Sequence, residues 1–214
     1  ACEVADVLAK RLGLAPDVCA SLAANFERWN GRGLPHGLTG EAIPRPMRIA
    51  QLAHELEVLC RIEGSARALE LVAERRGRAY DPMLADLAVG PGSDWWHDLE
   101  PLDPWEAALA VAPPALPLDQ ESAREALFVL ADFADLKSSW NSGHSRAVAA
   151  LAVASCGPEA EGPALVHDLG CVALPNTICD KPGPLTLDER DRVESHALVT
   201  EQLLRRVPFL AALA

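Results

Sequence analysis

The sequence predicts an all-α protein, on three observations. Half of its 214 residues are hydrophobic and only 5% are aromatic, so the core is built mainly from Ala, Leu and Val, and Ala and Leu are strong helix formers. Apolar residues recur at helical spacing, as in the stripe Val4, Val7, Leu8 and Leu12. No stretch of useful length alternates apolar and polar residues as a half-buried strand does.

The elements follow in order. After the first amphipathic helix, Leu14-Ala15-Pro16-Asp17 starts a second, with Pro near its N-terminus. A loop rich in Gly and Pro, "FERWNGRGLPHGLTGEAIP", leads into a long helix, "RPMRIAQLAHELEVLCRI". "GSARALELVAERRG" is a further helix stopped by Gly77, and "AYDPMLADLAVG" a short one closed by Gly90. Residues 91–120 change character, with Pro91, Pro101, Pro104, Pro113, Pro114 and Pro117 among Trp95, Trp96 and Trp105, and read as a linker holding one short helix. "ESAREALFVLADFADLKSSW" is helical, and "SGHSRAVAALAVASC" starts anew after Ser142-Gly143. "EGPALVHDLGCVALP" is a helix running into an extended exit. "LTLDERDRVESHALVTEQLLRRV" opens on a capping box, Thr186 with Glu189 three residues on. The chain ends on "FLAALA", read as mid-helix, and is taken as a fragment of a longer protein.

Composition excludes several function classes. A net charge of -12 is unsuited to a long nucleic-acid groove, which needs clustered Lys and Arg. No apolar run approaches the roughly 18 residues of a membrane span. No basic-then-apolar leader is present, so a cytoplasmic location is expected. Cys2, Cys19, Cys60, Cys156, Cys171 and Cys179 are scattered without a C-x-x-C pair, as reduced thiols are.

The residues that could carry chemistry are histidines. His144 lies in the first turn of a helix, His167-Asp168 end the next, and His196 lies midway along the one after. Three helices can thus bring imidazoles and a carboxylate to one point, a set suited to Fe, Mn or Zn. A divalent ion held there would acidify a bound water at neutral pH. On spacing alone they can equally be unrelated helix histidines. His97-Asp98, in the Pro-rich stretch, repeats the dipeptide and is set aside as a decoy.

The words around these residues decide between the two readings. Gly143-His144-Ser145, His167-Asp168, Gly170, Pro175, Ile178, Lys181-Pro182-Gly183, Leu185-Thr186 and His196 follow one another as in the first half of an HD-GYP domain, which this region resembles over about 65 residues. The loop "FERWNGRGLPHGLTGEAIP" resembles the second half of the same domain, through Glu27, Gly31, Gly33, Pro35, Gly37, Leu38, Gly40 and Ile43, and "RGRAYDPML" resembles its closing element. The halves stand in reversed order. A weak echo between "HALVTEQLLRRVPFLAALA" and the N-terminal "ACEVADVLAKRLGLAPDVCA" suits a tandem array, although two generic amphipathic helices would look alike.

The resemblance implies an all-α HD-superfamily helical bundle, divided into 1–90 (back half of a degenerate repeat), 91–120 (linker) and 121–214 (front half of a second repeat). It implies metal ligation by His144, His167, Asp168 and His196, with Asp168 catalytic and a divalent metal (Fe, Mn or Zn), dinuclear in the intact repeat. In the first repeat the family's ligand positions carry Asn25, Phe26 and His54, with Ala1 at the position of His196; Asn30 and Leu34 replace its Asp and Tyr. In the second, Cys171 stands where the family has a Lys implied to contact phosphate, and Trp140 where members with three metals carry Glu. Nearly the whole length, including "FADLKS" and "DKPGPLT", also resembles LuxR-type regulators with tandem HD repeats. The expected function is therefore a regulatory module with a partial metal site, its DNA-binding part outside this chain and a homodimer as its assembly. The alternative is a metal-dependent phosphodiesterase acting on a cyclic dinucleotide such as cyclic di-GMP.

Overall fold

Every regular element is helical among the described residues, 2–96, 103–112 and 118–213 of a computed structural model. The extended pairings among them are isolated bridges: Phe26 with Leu34, Asn30 with Thr39, and Arg76 with Tyr80. His97-Asp98 and parts of the expected linker, 97–102 and 113–117, lie outside the described residues. The chain divides into two compact units, Ala1–Leu116 and Pro117–Ala214.

The first unit comprises α1 (Cys2–Arg11), α2 (Pro16–Ala23), α3 (Arg45–Glu63), α4 (Ser65–Arg75), α5 (Pro82–Val89) and α6 (Pro104–Val111). Pro16 opens α2, where its missing N–H has no helical partner to lose. Gly64, at φ 82°, turns the chain between α3 and α4. The core lies where α3, α4 and α5 meet, with Leu56, Ala68 and Val72 fully buried beside Leu52, Tyr80 and Leu84. Asp81 caps α5 by accepting the Met83 N–H (2.9 Å) and pairs with Arg48 of α3 at 2.5 Å. Asp103 caps α6 in the same way, accepting the N–H groups of Trp105 and Glu106.

The second unit comprises α7 (Gln120–Asp135), α8 (His144–Cys156), α9 (Glu161–Val166), α10 (Asn176–Cys179), α11 (Leu187–Glu194) and α12 (His196–Arg205). Its core joins Leu127, Ala131 and Ala134 of α7 to Ala149 of α8, Leu165 and Val166 of α9, and Leu204 of α12. α9 packs on α7 and α8, and α12 packs on a 3-10 turn, Leu169–Ala173, that follows α9.

Four helix boundaries differ from the sequence expectation. The helix expected to reach Trp140 ends at Asp135, whose carboxylate turns to the start of α8. The helix through His167 stops after six residues, at Val166, and continues only as the 3-10 turn. The helix expected to run from Thr186 past His196 is interrupted at Ser195, where the Ser195 hydroxyl and the His196 ring take up the Arg192 and Val193 carbonyls. Side chains that bond to nearby backbone compete with the helix ladder in this way. His196 therefore opens α12 rather than sitting midway along a helix. Finally, α12 ends at Arg205 ahead of Pro208, and "FLAALA" holds a 3-10 turn, Ala211–Leu213, not a continuing helix.

The capping box at the head of α11 is present as expected. Thr186 Oγ1 accepts the Glu189 N–H, and Glu189 accepts both the Thr186 N–H (2.7 Å) and Lys181 Nζ (2.5 Å). The Lys181 hydrogen bond first, and the Thr186 N–H second, hold the Glu189 carboxyl below its ordinary value of 4.5. A carboxyl lowered on folding stabilises above its unfolded pKa and stops doing so as pH falls through its folded one. Below pH 4.5 the first turn of α11 is accordingly expected to fray. Faster amide exchange at Thr186 and Glu189 would report this, and Glu189→Gln should remove the pH dependence.

Candidate metal centre

His167 and Asp168 stand where α9 ends. His167 keeps helical backbone angles, and Asp168 (φ -101°, ψ 12°) leaves them, turning its carboxylate towards α8 and α12. Three imidazoles meet it there. Asp168 Oδ2 lies 3.5 Å from His144 Nε2, and Oδ1 lies 3.4 Å from His167 Nε2 and 3.3 Å from His196 Nε2. The His144 and His167 rings are 5.4 Å apart. Two donor sets emerge, His144-His167-Asp168 and Asp168-Cys171-His196, each with its donor atoms within 4.8 Å of one another. Asp168 belongs to both. All four residues singled out in the sequence are thus brought together.

The ring orientations are set from behind. His167 Nδ1 lies 2.8 Å from the Ala164 carbonyl oxygen and His196 Nδ1 2.5 Å from that of Val193. A carbonyl can only accept, so each Nδ1 carries a proton and Nε2 is the ring atom that faces Asp168, with a lone pair to offer in the neutral ring. Lone pairs facing a carboxylate at this range repel unless a proton or cation lies among them. The spacing also suits a cation. Bonds of about 2.1 Å place neighbouring donors about 3.0 Å apart in octahedral and about 3.4 Å apart in tetrahedral coordination. The donor chemistry therefore fits a divalent metal.

Two residues that pattern reading missed, Asp135 and Thr200, hold this arrangement together with glycines of the motif. Gly143, at φ 78°, precedes α8 and has no side chain to cap it. Asp135, from the end of α7, supplies the acceptor instead, taking the Ser145 N–H (3.2 Å) and hydroxyl (2.7 Å); both residues are buried. That fixes the turn from which His144 projects. On the other side, a Cβ on Gly170 would stand 2.1 Å from the His196 carbonyl oxygen and 2.7 Å from the Thr200 nitrogen, so only glycine lets α12 approach the turn after Asp168. Thr200 Oγ1 then accepts the Gly170 N–H (2.8 Å) and donates to the His167 carbonyl (3.1 Å). One hydroxyl thereby ties the helix of His196 to the backbone of His167. Thr200→Val is expected to cost about 1–3 kcal/mol by orphaning a buried N–H. Metal affinity should drop about 10–100-fold through loosened ligands. Chemical denaturation and metal titration measure the two effects.

Cys171 lies beside Asp168 and His196. Burial, and then the Asp168 charge, push its thiol up to about 11. At neutral pH it is an uncharged thiol, neither a cation for a phosphate nor a ready thiolate ligand. The cation on this side, Lys137, donates to the Val172 carbonyl oxygen at 3.1 Å. Trp140 is 84% exposed and contributes no ligand.

The loop of the first unit keeps its shape without such a cluster. Glu27, 2% exposed, accepts the backbone N–H groups of His36 (2.7 Å) and Leu38 (2.9 Å), one on each carboxylate oxygen. Gly33 lies so close to the backbone of Glu27 and Arg28 that a Cβ would stand 2.2 Å from the Arg28 nitrogen. Gly31 adopts φ 74°, which favours glycine. Gln51 of α3 donates to the carbonyls of Ala24, Asn25 and Glu27. Asn25, Phe26, Asn30, Leu34 and His54 are all exposed, and none enters a metal-type donor set among the described residues. His36 is exposed as well.

Fold and site together define an all-α HD-superfamily helical bundle with a His/Asp donor cluster. The chain is 32% identical over 220 residues to the 3'3'-cGAMP-specific phosphodiesterase 3 of Vibrio cholerae, a match covering 96% of this chain and 47% of that protein. A crystal structure of a cyclic GMP-AMP-specific phosphodiesterase of V. cholerae superposes with a TM-score of 0.69 at 29% identity, over 96% of this chain and 53% of that one. The chain thus spans about half the length of the relatives it matches. No family model matches it. Both relatives are phosphodiesterases, and the regulatory, LuxR-type context expected from the sequence finds no support in them. Among the described residues no helix is long and apolar enough to cross a membrane.

Proposed function

We propose that this chain is part of a metal-dependent phosphodiesterase that hydrolyses a cyclic dinucleotide. The observation that carries the reading is the convergence of three imidazole Nε2 atoms on the two oxygens of Asp168. Its setting supports it too, in a chain 32% identical to a phosphodiesterase specific for 3'3'-cGAMP. His144, His167, Asp168 and His196 would hold one or two divalent ions (Fe, Mn or Zn). When bound, such an ion lowers the pKa of water and offsets phosphate charge.

The chain's own residues set the stage for that chemistry. His167 and His196 keep Nε2 free by donating Nδ1–H to their helix carbonyls. Asp168 offers one oxygen to His144 and the other to His167 and His196, so its carboxylate would hold an ion together with each of them. The His144 side chain, 43% exposed, leaves the cluster open on one side, where a phosphodiester can approach. In this reading residues 121–214 are the front half of one repeat, 1–90 the back half of another whose ligands are gone, and 91–120 their linker.

The test is metal analysis of the full-length protein together with hydrolysis of 3'3'-cGAMP and cyclic di-GMP. Bound Fe, Mn or Zn and a chelator-sensitive linear product are expected. Absence of metal, or turnover unaffected by its removal, would overturn the reading. One observation favours a second reading, ligand binding without turnover: Cys171 supplies no cation beside the cluster. A metal-loaded protein that binds a cyclic dinucleotide and never cleaves it would select that reading.

A further inference from the structure

The first unit contains a cleft of about 1000 Å³ that no step of the proposed hydrolysis uses. Its wall combines Arg28, Arg32, Arg75 and Arg78 with Glu27, Glu55 and Glu74. The carboxylates are all engaged: Glu27 by two backbone N–H groups, Glu55 by Arg75, and Glu74 by Arg67 at 3.3 Å. Arg75 is engaged in turn, with Glu55 and the Tyr80 hydroxyl. Arg28, Arg32 and Arg78 are exposed, and their guanidinium groups have no hydrogen bond or ion pair among the described residues. Three unpaired guanidinium groups around one concavity are notable in a chain of net charge -12. Phe26 lines the same cleft with 55% of its surface open.

These groups do not move freely with their loop. The Phe26–Leu34 bridge, the buried Glu27 carboxylate and the Gln51 amide pin the segment that carries Phe26, Arg28 and Arg32. Arg78 is set by the backbone bond that its carbonyl accepts from the Asn30 N–H (3.0 Å). Free guanidinium forks match phosphate oxygens in charge and geometry. An open phenyl face beside them stacks a planar base.

We propose that this cleft is a non-catalytic binding site for a nucleotide, with Arg28, Arg32 and Arg78 on its phosphate and Phe26 under its base. The proposal stands on the first unit alone and does not depend on the metal reading.

The experiment is equilibrium binding of GMP, AMP, 3'3'-cGAMP and ribose 5-phosphate to the full-length protein, with EDTA present so that no metal site contributes. A nucleotide is expected to bind, with affinity falling as salt rises. Each of Arg28→Ala, Arg32→Ala and Arg78→Ala should weaken it about tenfold or more, since charge-assisted hydrogen bonds are lost. Phe26→Ala should weaken GMP or AMP and leave ribose 5-phosphate unchanged. Because these side chains are exposed, circular dichroism and thermal melting of the variants should match the wild type. No nucleotide binding in EDTA, or equal binding by the triple arginine variant, would overturn the proposal. Metal content measured on that same triple variant keeps the outcome separate from the fate of the metal centre.

Discussion

Asp168→Ala in the full-length protein is expected to abolish metal binding and lower cyclic dinucleotide turnover by about 10³-fold or more. Asp168 is the one residue common to both donor sets, and all three imidazoles face its carboxylate. Its loss leaves three rings with no carboxylate among them. A catalytic metal contributes several kcal/mol of transition-state charge stabilisation. About 4 kcal/mol corresponds to about 10³-fold in rate. Asp168→Asn keeps the shape and removes the charge, so it should behave almost as badly. The fold itself should survive, because the carboxylate faces the three rings and caps no helix end. Metal analysis, steady-state kinetics and a melting curve on each variant separate these effects. Retention of metal by Asp168→Ala would contradict the ligand assignment.

The largest expected loss of stability is at Asp81. Its carboxylate is buried, with 4% of the side chain exposed, and it both caps α5 and pairs with Arg48, itself 12% exposed. Arg48 depends on that partner. Its Nε has no hydrogen bond, and its guanidinium lies over the face of Trp29, 5.6 Å from the ring centroid. Asp81→Ala would strand a buried cation and remove a helix cap together. Breaking one side of such a pair costs about 3–5 kcal/mol, a large part of a domain's stability. The double variant Arg48→Met/Asp81→Ala should recover much of the loss, since no unpaired charge is left behind. Denaturant unfolding followed by far-UV circular dichroism measures both. Equal stability of single and double variants would show that the pair is not coupled.

The all-α class and most helices were legible from apolar periodicity, and local signals placed several ends well: Pro16 at the start of α2, Thr186 with Glu189 at α11, Gly90 after α5. Boundaries failed where a side chain takes over a backbone group from a distance or from within its own turn, as at Asp135 and Ser195. That His144, His167, Asp168 and His196 come together was legible because their spacing was matched by the words around them. Their supports were not. Thr200 meets Gly170 across 30 positions of sequence, and Gln51 reaches the 24–27 segment from a different helix. No periodicity marks a threonine or glutamine for such a task. What they bond to exists only after the helices have packed.

The buried Glu27 carboxylate has a consequence for how this chain can change. Both of its oxygens are filled by amides of its own loop, so the loop's shape is independent of any ion. Conformation and chemistry are thereby inherited separately. Positions 27, 31 and 33 carry the form, while 25, 26, 30 and 34 face solvent and can drift without unfolding anything. A segment built this way can lose one activity, persist as a scaffold, and later be equipped for another.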